Sequence, residues 1–424
     1  MLLFVKGSEN TSIQPDEVKE ILFSTFDKLG SRKKVLAIPP DISRYHSKAG
    51  EITGLVYDYF QNRLTDVLPS IGTHNPMTEN EMDKMFPFVP KPLFRIHRWK
   101  ADLVTLGDVP SEFISEVSEG KLNFSWPAQT NKILVERNYD LILSIGQVVP
   151  HEVIGMANYN KNIFVGAGGK DSIHKSHYLG AVYGMERIMG RADTPVRKVL
   201  NYASDNFAKH LPIVYILTVI GKDENNNLVL RGLFIGDDYE CFKLASDLSL
   251  KVNFQMLDEP LKKVVVYLDP LEYKSTWLGN KSIYRTRMAI DDGGELIVLA
   301  PGLKEFGEDK EIDSLIRKYG YRTTPEILKF VEDNKDLGNN LAAAAHLIHG
   351  SSENRFKITY CPGQISKEEI ESVNFDYASL DEMMKIYNPE KLKDGFNKMK
   401  DSEEIFFISN PALGLWSYKN RFTE

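Results

Sequence analysis

The 424-residue sequence has little cysteine, few tryptophans and no long apolar run. Its two cysteines, Cys241 and Cys361, are far apart and share no partner spacing. That excludes a disulfide framework and a thiolate metal site. Both cysteines read as small buried apolar residues. No stretch approaches the ~18 apolar residues of a membrane span, so no membrane partner is expected. Positive charge is also short: Lys and Arg number 52 against 59 Asp and Glu, a net charge of −7. Both signs are spread along the chain, which excludes a basic patch for a phosphate backbone and so a nucleic-acid partner. The start, MLLFVKGSEN, lacks the basic region and apolar core of a secretory signal, and a cytoplasmic location is expected. No internal repeat and no low-complexity tract occurs.

Apolar residues make up 42% and charged residues 26%, the balance of a globular chain. At this length two domains are expected. Pro15 opens a helix whose apolar positions recur at helical spacing until Gly30. Lys34–Ile38 is a short buried strand. A helix over Gly50–Leu64 follows, and Thr78 with Glu81 forms a capping box. Asp140–Ile145 is the clearest buried strand of the first half. His210–Ile220 and Leu228–Ile235, joined through Asp223–Asn227, form a hairpin. Helix Asp238–Leu250 comes next. A second alternation begins at Lys263–Leu268. It runs through a helix near Trp277–Ala289, the turn Asp292-Gly293-Gly294, strand Glu295–Ala300, three helices between Glu311 and Gly350, and strand Lys357–Tyr360. Lys391–Glu404 reads as a solvated helix face or connector, and Ile405–Ser409 as one more strand. Alternating strands and helices in both halves predict an α/β protein of two α/β domains. The expected N-terminal domain is 1–252 and the C-terminal domain 253–394. The tail 395–424 is expected to return to the first domain.

The chemistry gathers in Val149–His177, which holds His151, His174 and His177 of the nine histidines. His74 and His151 follow predicted strands in loops, where α/β proteins converge ligand contacts. Such a pair can shuttle protons or bind metal. His174 and His177 stand three apart, on one helix face. The zincin pattern needs His-Glu-x-x-His, so a zinc-hydrolase signal is weak. Gly166–Asp171 suggests a phosphate loop, but Asp171 stands where Walker A needs a hydroxyl, and the dinucleotide spacing fails. The bland reading is a turn before a helix. His46, His97, His210, His346 and His349 read as structural, and His174 stays open between the two.

Asp41-x-x-Arg44, Gly72-Thr73-His74, Pro150-His151, Lys161 and His177, in this order and spacing, resemble the nickel-pincer nucleotide-dependent lactate racemase family (LarA-like 2-hydroxyacid racemases and epimerases). The likeness runs from about residue 34 to 302. It implies two α/β domains with the active site in the interdomain cleft. It also implies a cofactor, nickel held by a pyridinium-3,5-bisthiocarboxylic acid mononucleotide, covalently attached at Lys161, with His177 as the nickel ligand. Soft sulfur donors and one imidazole suit Ni(II). His74 and His151 would be the proton-transfer residues. Arg44 would bind the substrate carboxylate through its donor fork. Asp41, Gly72 and Thr73 would hold the cofactor, and Lys281 and Trp277 of the second domain would meet substrate. The implied reaction inverts C2 of a 2-hydroxy acid by reversible hydride transfer through a 2-oxo acid. Cofactor biosynthesis proteins are implied partners. Two other readings stand beside it: a relative that binds nucleotide or 2-hydroxy acid without turnover, and a metal hydrolase using His74, His151 and His177.

The sequence departs from the family around the pocket. Where the family has Gly-Phe-Ser-Gly-Gly-x-Lys, this chain has Gly155-Met156-Ala157-Asn158-Tyr159-Asn160-Lys161. Leu278 replaces a glutamine, Val165-Gly166 a Pro-Gly, and His174 an apolar residue. Asn158 and Tyr159 are therefore expected to reach substrate. The expected substrate is larger and more polar than lactate, such as a sugar acid.

Overall fold

The computed structural model describes residues 1–225, 227–400 and 402–422. The chain divides into two compact units, Met1–Leu179 with Met189–Asn253, and Gly180–Ile188 with Phe254–Glu424. Among the described residues no helix is long and apolar enough to cross a membrane.

The first unit is built on six strands: β1 (Leu2–Gly7), β2 (Val35–Ile38), β3 (Leu64–Val67), β4 (Leu141–Gln147), β5 (Ile213–Lys222) and β6 (Leu228–Gly236). Their order is β1-β6-β5-β4-β2-β3. Strands β5, β4, β2 and β3 run parallel, while β6 and β1 are antiparallel additions. Strand β2, at the centre of the parallel part, is apolar throughout because both its faces are covered. Val35, Leu36, Ala37 and Ile38 all lie at 0% exposure. Helices α1 (Pro15–Leu29) and α2 (Ala49–Phe60) bury Leu22, Phe26, Val56 and Phe60 against one face. Helix α3 (Lys170–Tyr183) carries His177, and α4 (Pro195–Ala203) and α5 (Tyr239–Asn253) complete the helices used below.

The expected hairpin forms as β5 and β6; Asn226 of its turn lies outside the described residues. The Thr78 capping box also forms, with the Thr78 amide donating to Glu81 at 2.8 Å and the Glu81 amide to Thr78 Oγ1 at 3.3 Å. An antiparallel ribbon, Leu103–Val109 with Trp126–Asn131, has no counterpart in the sequence expectations.

The second unit has its own sheet. Its strands are β7 (Leu261–Tyr267), β8 (Ile290–Ala300), β9 (Lys357–Pro362), β10 (Asp376–Tyr377), β11 (Gly395–Lys398) and β12 (Glu404–Ile408), in the order β10-β9-β8-β7-β12-β11. All pairs are parallel except β11 with β12. The tail therefore does not return to the first unit. Val264, Val265 and Val266 pair with Phe406, Phe407 and Ile408, so this apolar run closes the second core. The turn expected at Asp292–Gly294 is an irregularity inside β8, where the pairing with β7 shifts register. The helix expected near Trp277–Ala289 is two short helices, Thr276–Gly279 and Lys281–Thr286. Lys391–Glu404 contains β11 rather than a helix. Gly180–Ile188 groups with this unit because Glu186 accepts from Arg287 at 3.0 Å and Arg355 at 2.7 Å.

Candidate functional site

The loops after three adjacent parallel strands of the first unit carry most of the candidate residues. Asp41 and Arg44 follow β2, His74 follows β3, and His151 with Lys161 follow β4. The carboxyl ends of neighbouring parallel strands open toward the same edge, where such sheets gather ligands. The loops are tied together: the Gly72 amide donates to the Gly166 carbonyl at 2.8 Å, and the Ser70 amide to Pro39 at 2.7 Å.

Asp41 is buried and caps the short helix that holds Arg44. Its carboxylate also accepts from His74 Nδ1 at 2.7 Å. Burial opposes ionisation, yet hydrogen bonds from His74 and Ser43 outweigh it and hold the carboxyl below its usual range. An Nδ1–H committed to a carboxylate leaves the His74 Nε2 lone pair free. The residue assigned to the cofactor by resemblance thus meets a proposed base. Thr73 is exposed beside it.

His151 is 6% exposed. Its Nδ1 accepts the Val153 amide at 3.1 Å, so the neutral ring carries its proton on Nε2. Burial holds this imidazole neutral, well below its ordinary pKa; Glu152 opposes, while Lys161, Arg44 and His177 add to the effect. His74 and His151 therefore differ: one presents a lone pair, the other an N–H.

Lys161 starts a tight turn, Asn162–Gly166, that leads to α3. Burial foremost, and then the nearby Arg44 charge, lower its ammonium pKa to about 8; Glu152 opposes and Arg197 adds. A lysine so depressed holds about a tenth of its amine in the nucleophilic free form at pH 7, far more than an ordinary lysine. On α3, His177 Nδ1 donates to the Ile173 carbonyl at 2.7 Å. That leaves Nε2 available, the arrangement usual for a metal-bound imidazole. Burial, foremost, lowers its pKa and favours the neutral, ligating form. His174 lies one turn away with its ring 6.3 Å from that of Trp99. Burial, and then His177, lower its pKa to about 4.

The glycine cluster before α3 is a packing device. A Cβ on Gly168 would stand 1.9 Å from the Phe164 carbonyl oxygen, and one on Gly169 2.4 Å from Gln129 Oε1. The amides of Ala167, Gly168 and Gly169 go to Asn162 O, Val165 O and Ser172 Oγ. Amides bonded internally cannot cradle a phosphate. His97, structural as expected, donates from Nε2 to Gly168 O at 2.9 Å.

Asn158, Tyr159 and Asn160 are consumed by the fold. Asn158 Oδ1 accepts the Tyr159 amide at 2.7 Å. The Tyr159 ring is 6% exposed, stacked 5.2 Å from Phe242 and tilted against Tyr215 at 4.3 Å. Asn160 donates to Asn201 at 2.8 Å and Ser204 at 3.1 Å, and accepts from Arg197.

Trp277 and Lys281 belong to the second unit. The Trp277 ring lies 4.5 Å from that of His346, and Lys281 Nζ lies 5.7 Å from the Tyr273 ring centre.

The motif reading missed Glu152, Val153 and Arg197. Glu152 was adjacent to a named histidine. Arg197 carries no local signal, because it meets the Lys161 turn only through tertiary packing.

Among the described residues no three His, Cys, Asp or Glu side chains group closely enough to hold a metal between them. A zinc hydrolase site needs three protein ligands together. A metal on His177 would take its other donors from a bound group.

The fold is two α/β units, the first with a histidine- and lysine-bearing edge. Residues 19–188 match the lactate racemase N-terminal domain. Over that stretch the chain is similar to lactate racemases (LarA-like proteins). Among solved structures it is similar to a protein from Thermotoga maritima, 24% identical, with a TM-score of 0.80 over 96% of this chain and 98% of that one. It is also similar to the lactate racemase apoprotein from Thermoanaerobacterium thermosaccharolyticum, 15% identical, with a TM-score of 0.71 over 97% of this chain and 94% of that one. At these identities the likeness is one of fold. No curated protein matches the sequence.

Proposed function

We propose that the protein is an isomerase that inverts C2 of a 2-hydroxy acid with a nickel-pincer nucleotide. One observation carries the reading. Three imidazoles and a lysine belong to one edge of the first unit, and each imidazole has its Nδ1 committed to a different partner. Lys161, a partly free amine, suits covalent attachment of the nucleotide. His177, with Nε2 available, suits the nickel. When bound, the group supplies a reversible hydride acceptor.

The remaining chemistry belongs to the chain. Arg44 pairs with the substrate carboxylate and fixes its orientation. His74 takes the hydroxyl proton through Nε2, and Asp41 stabilises the resulting imidazolium. His151 offers Nε2–H to the substrate oxygen and stays uncharged, because Val153 fixes its tautomer and burial disfavours the cation. Removing the C2 hydrogen as a proton is hard beside a carboxylate, which favours hydride chemistry. The substrate class is 2-hydroxy acids. The Asn158–Asn160 insert lends a sugar acid no direct support, since the fold consumes these side chains. The nucleotide would come from separate biosynthetic proteins.

The test is a screen of 2-hydroxy acids in D₂O with cofactor-loaded protein, together with intact mass and nickel content. Inversion with retention of C2–H, an adduct on Lys161 and stoichiometric nickel are expected. Solvent deuterium at C2 would overturn the hydride reading.

A further inference from the structure

Asn158 and Tyr159 both sit in the left-handed region, at φ +68° and +59°. A Cβ crowds the neighbouring carbonyl oxygen there, so both residues are strained. Tyrosine, with a bulky ring, is the more costly of the two. The next residue but one is Lys161. Something must hold this turn, because such strain persists only where surrounding contacts over-determine it.

Arg197 is the group that does so. It is fully buried, at 0% exposure, on α4. One guanidinium nitrogen donates to Met156 O at 2.7 Å and Asn158 O at 3.3 Å. The other donates to Asn160 Oδ1. Its Cζ lies 4.1 Å from the centre of the Phe242 ring, on which Tyr159 is stacked. One side chain thus grips the carbonyls on either side of Ala157, the side chain of Asn160, and the aromatic wall behind Tyr159. Its charge also reaches Lys161.

We infer that Arg197 is a positioning residue for Lys161: its guanidinium braces the left-handed Asn158–Tyr159 turn, doing with hydrogen bonds what two glycines would do by lacking side chains. The consequence for cofactor attachment rests on the proposed role of Lys161, but the brace itself does not. A guanidinium is needed, because a lysine in its place has no planar fork to reach three acceptors.

The test uses cofactor-free full-length protein. The rate at which an amine-reactive reagent modifies Lys161 is followed against pH by peptide mass mapping, with circular dichroism melts as the fold control. The wild-type profile should have its midpoint near pH 8. In Arg197→Gln the midpoint should move up, since the turn loosens toward solvent and a nearby positive charge is gone. A rise of about one pH unit means roughly tenfold slower modification at neutral pH. Arg197→Lys keeps the charge and loses the fork, so it should give a smaller upward move. It also carries the test if Arg197→Gln does not fold. Adding Asn158→Gly to Arg197→Lys should return the profile toward wild type, since glycine adopts positive φ unaided. A folded Arg197→Gln or Arg197→Lys protein with an unchanged Lys161 profile overturns the inference. A moved profile in a protein that never gains a Lys161 adduct from cofactor-supplied cells supports the brace and sinks the tether instead.

Discussion

Two buried histidine neighbourhoods, one in each unit, differ in what surrounds the ring. In the second unit His346 on Leu341–His349 is 6% exposed. Its Nε2 accepts from Tyr321 at 2.9 Å, Tyr321 meets Thr276 at 2.7 Å, and Trp277 covers its face. Burial, and then His349, lower its pKa to about 3. The partners named here are neutral, and the network specifies a core. At the edge of the first unit, His151 is equally buried, but Lys161, Arg44, Glu152 and His177 act on it. Gathering charged groups around a buried ring is costly, and proteins accept that cost where a proton or ligand is to be handled. Burial alone does not separate the two neighbourhoods; the charge of the neighbours does.

The largest effect that would break this contrast is catalytic. His74→Ala in loaded enzyme should lower kcat by about 10²–10⁴-fold, the usual worth of a positioned acid–base group. Steady-state kinetics with the substrate found in the screen reads this directly, and an unchanged kcat removes His74 from the mechanism.

The next is a linkage measurement. Lys161 has a folded pKa of about 8 against 10.5. Its charged form is disfavoured in the native state, so the unfolded chain binds more protons between these values. Stability relative to Lys161→Met should therefore rise as pH climbs from about 8 to 10.5, by up to about 3 kcal/mol. Urea unfolding of the cofactor-free pair across that window checks both sign and size.

The second neighbourhood should respond in stability alone. His346→Ala leaves the buried Tyr321 hydroxyl short of a partner, at about 1–3 kcal/mol. Denaturant midpoints should fall while the pH profile of Lys161 modification stays put. A moved profile would mean that the two regions are coupled. Smallest is Ser366→Ala, which removes the capping box of Lys367–Ser372, where the Glu369 amide donates to Ser366 at 3.2 Å. A loss of about 1 kcal/mol is expected, again with Lys161 unaffected.

Much of this was legible in sequence. Apolar runs such as Val35–Ile38 and Leu141–Ile145 are strands because both faces are buried, and capping chemistry placed Thr78. The spacing of Asp41, Arg44, His74, His151, Lys161 and His177 pointed to one site through the family it resembles; all but His177, which lies midway along α3, sit in loops after β2, β3 or β4. The tail was not legible. Ile405–Ile408 is as apolar as any core strand, and only the available edge beside Val264–Val266 decides which sheet it joins. The Asn158–Asn160 insert misled for a related reason: a polar side chain near a site reads as a ligand contact until its partners are seen.

The sequence alone determined the alternation that makes an α/β fold, the order of the chemical groups and the family they resemble, since these depend on local periodicity and residue identity. The tertiary structure decided which partner takes the Nδ1 of His74, His151 and His177, that Asp41 serves His74, and that Arg197 holds the Lys161 turn. Those facts depend on distances between residues far apart in the chain, which no local pattern encodes.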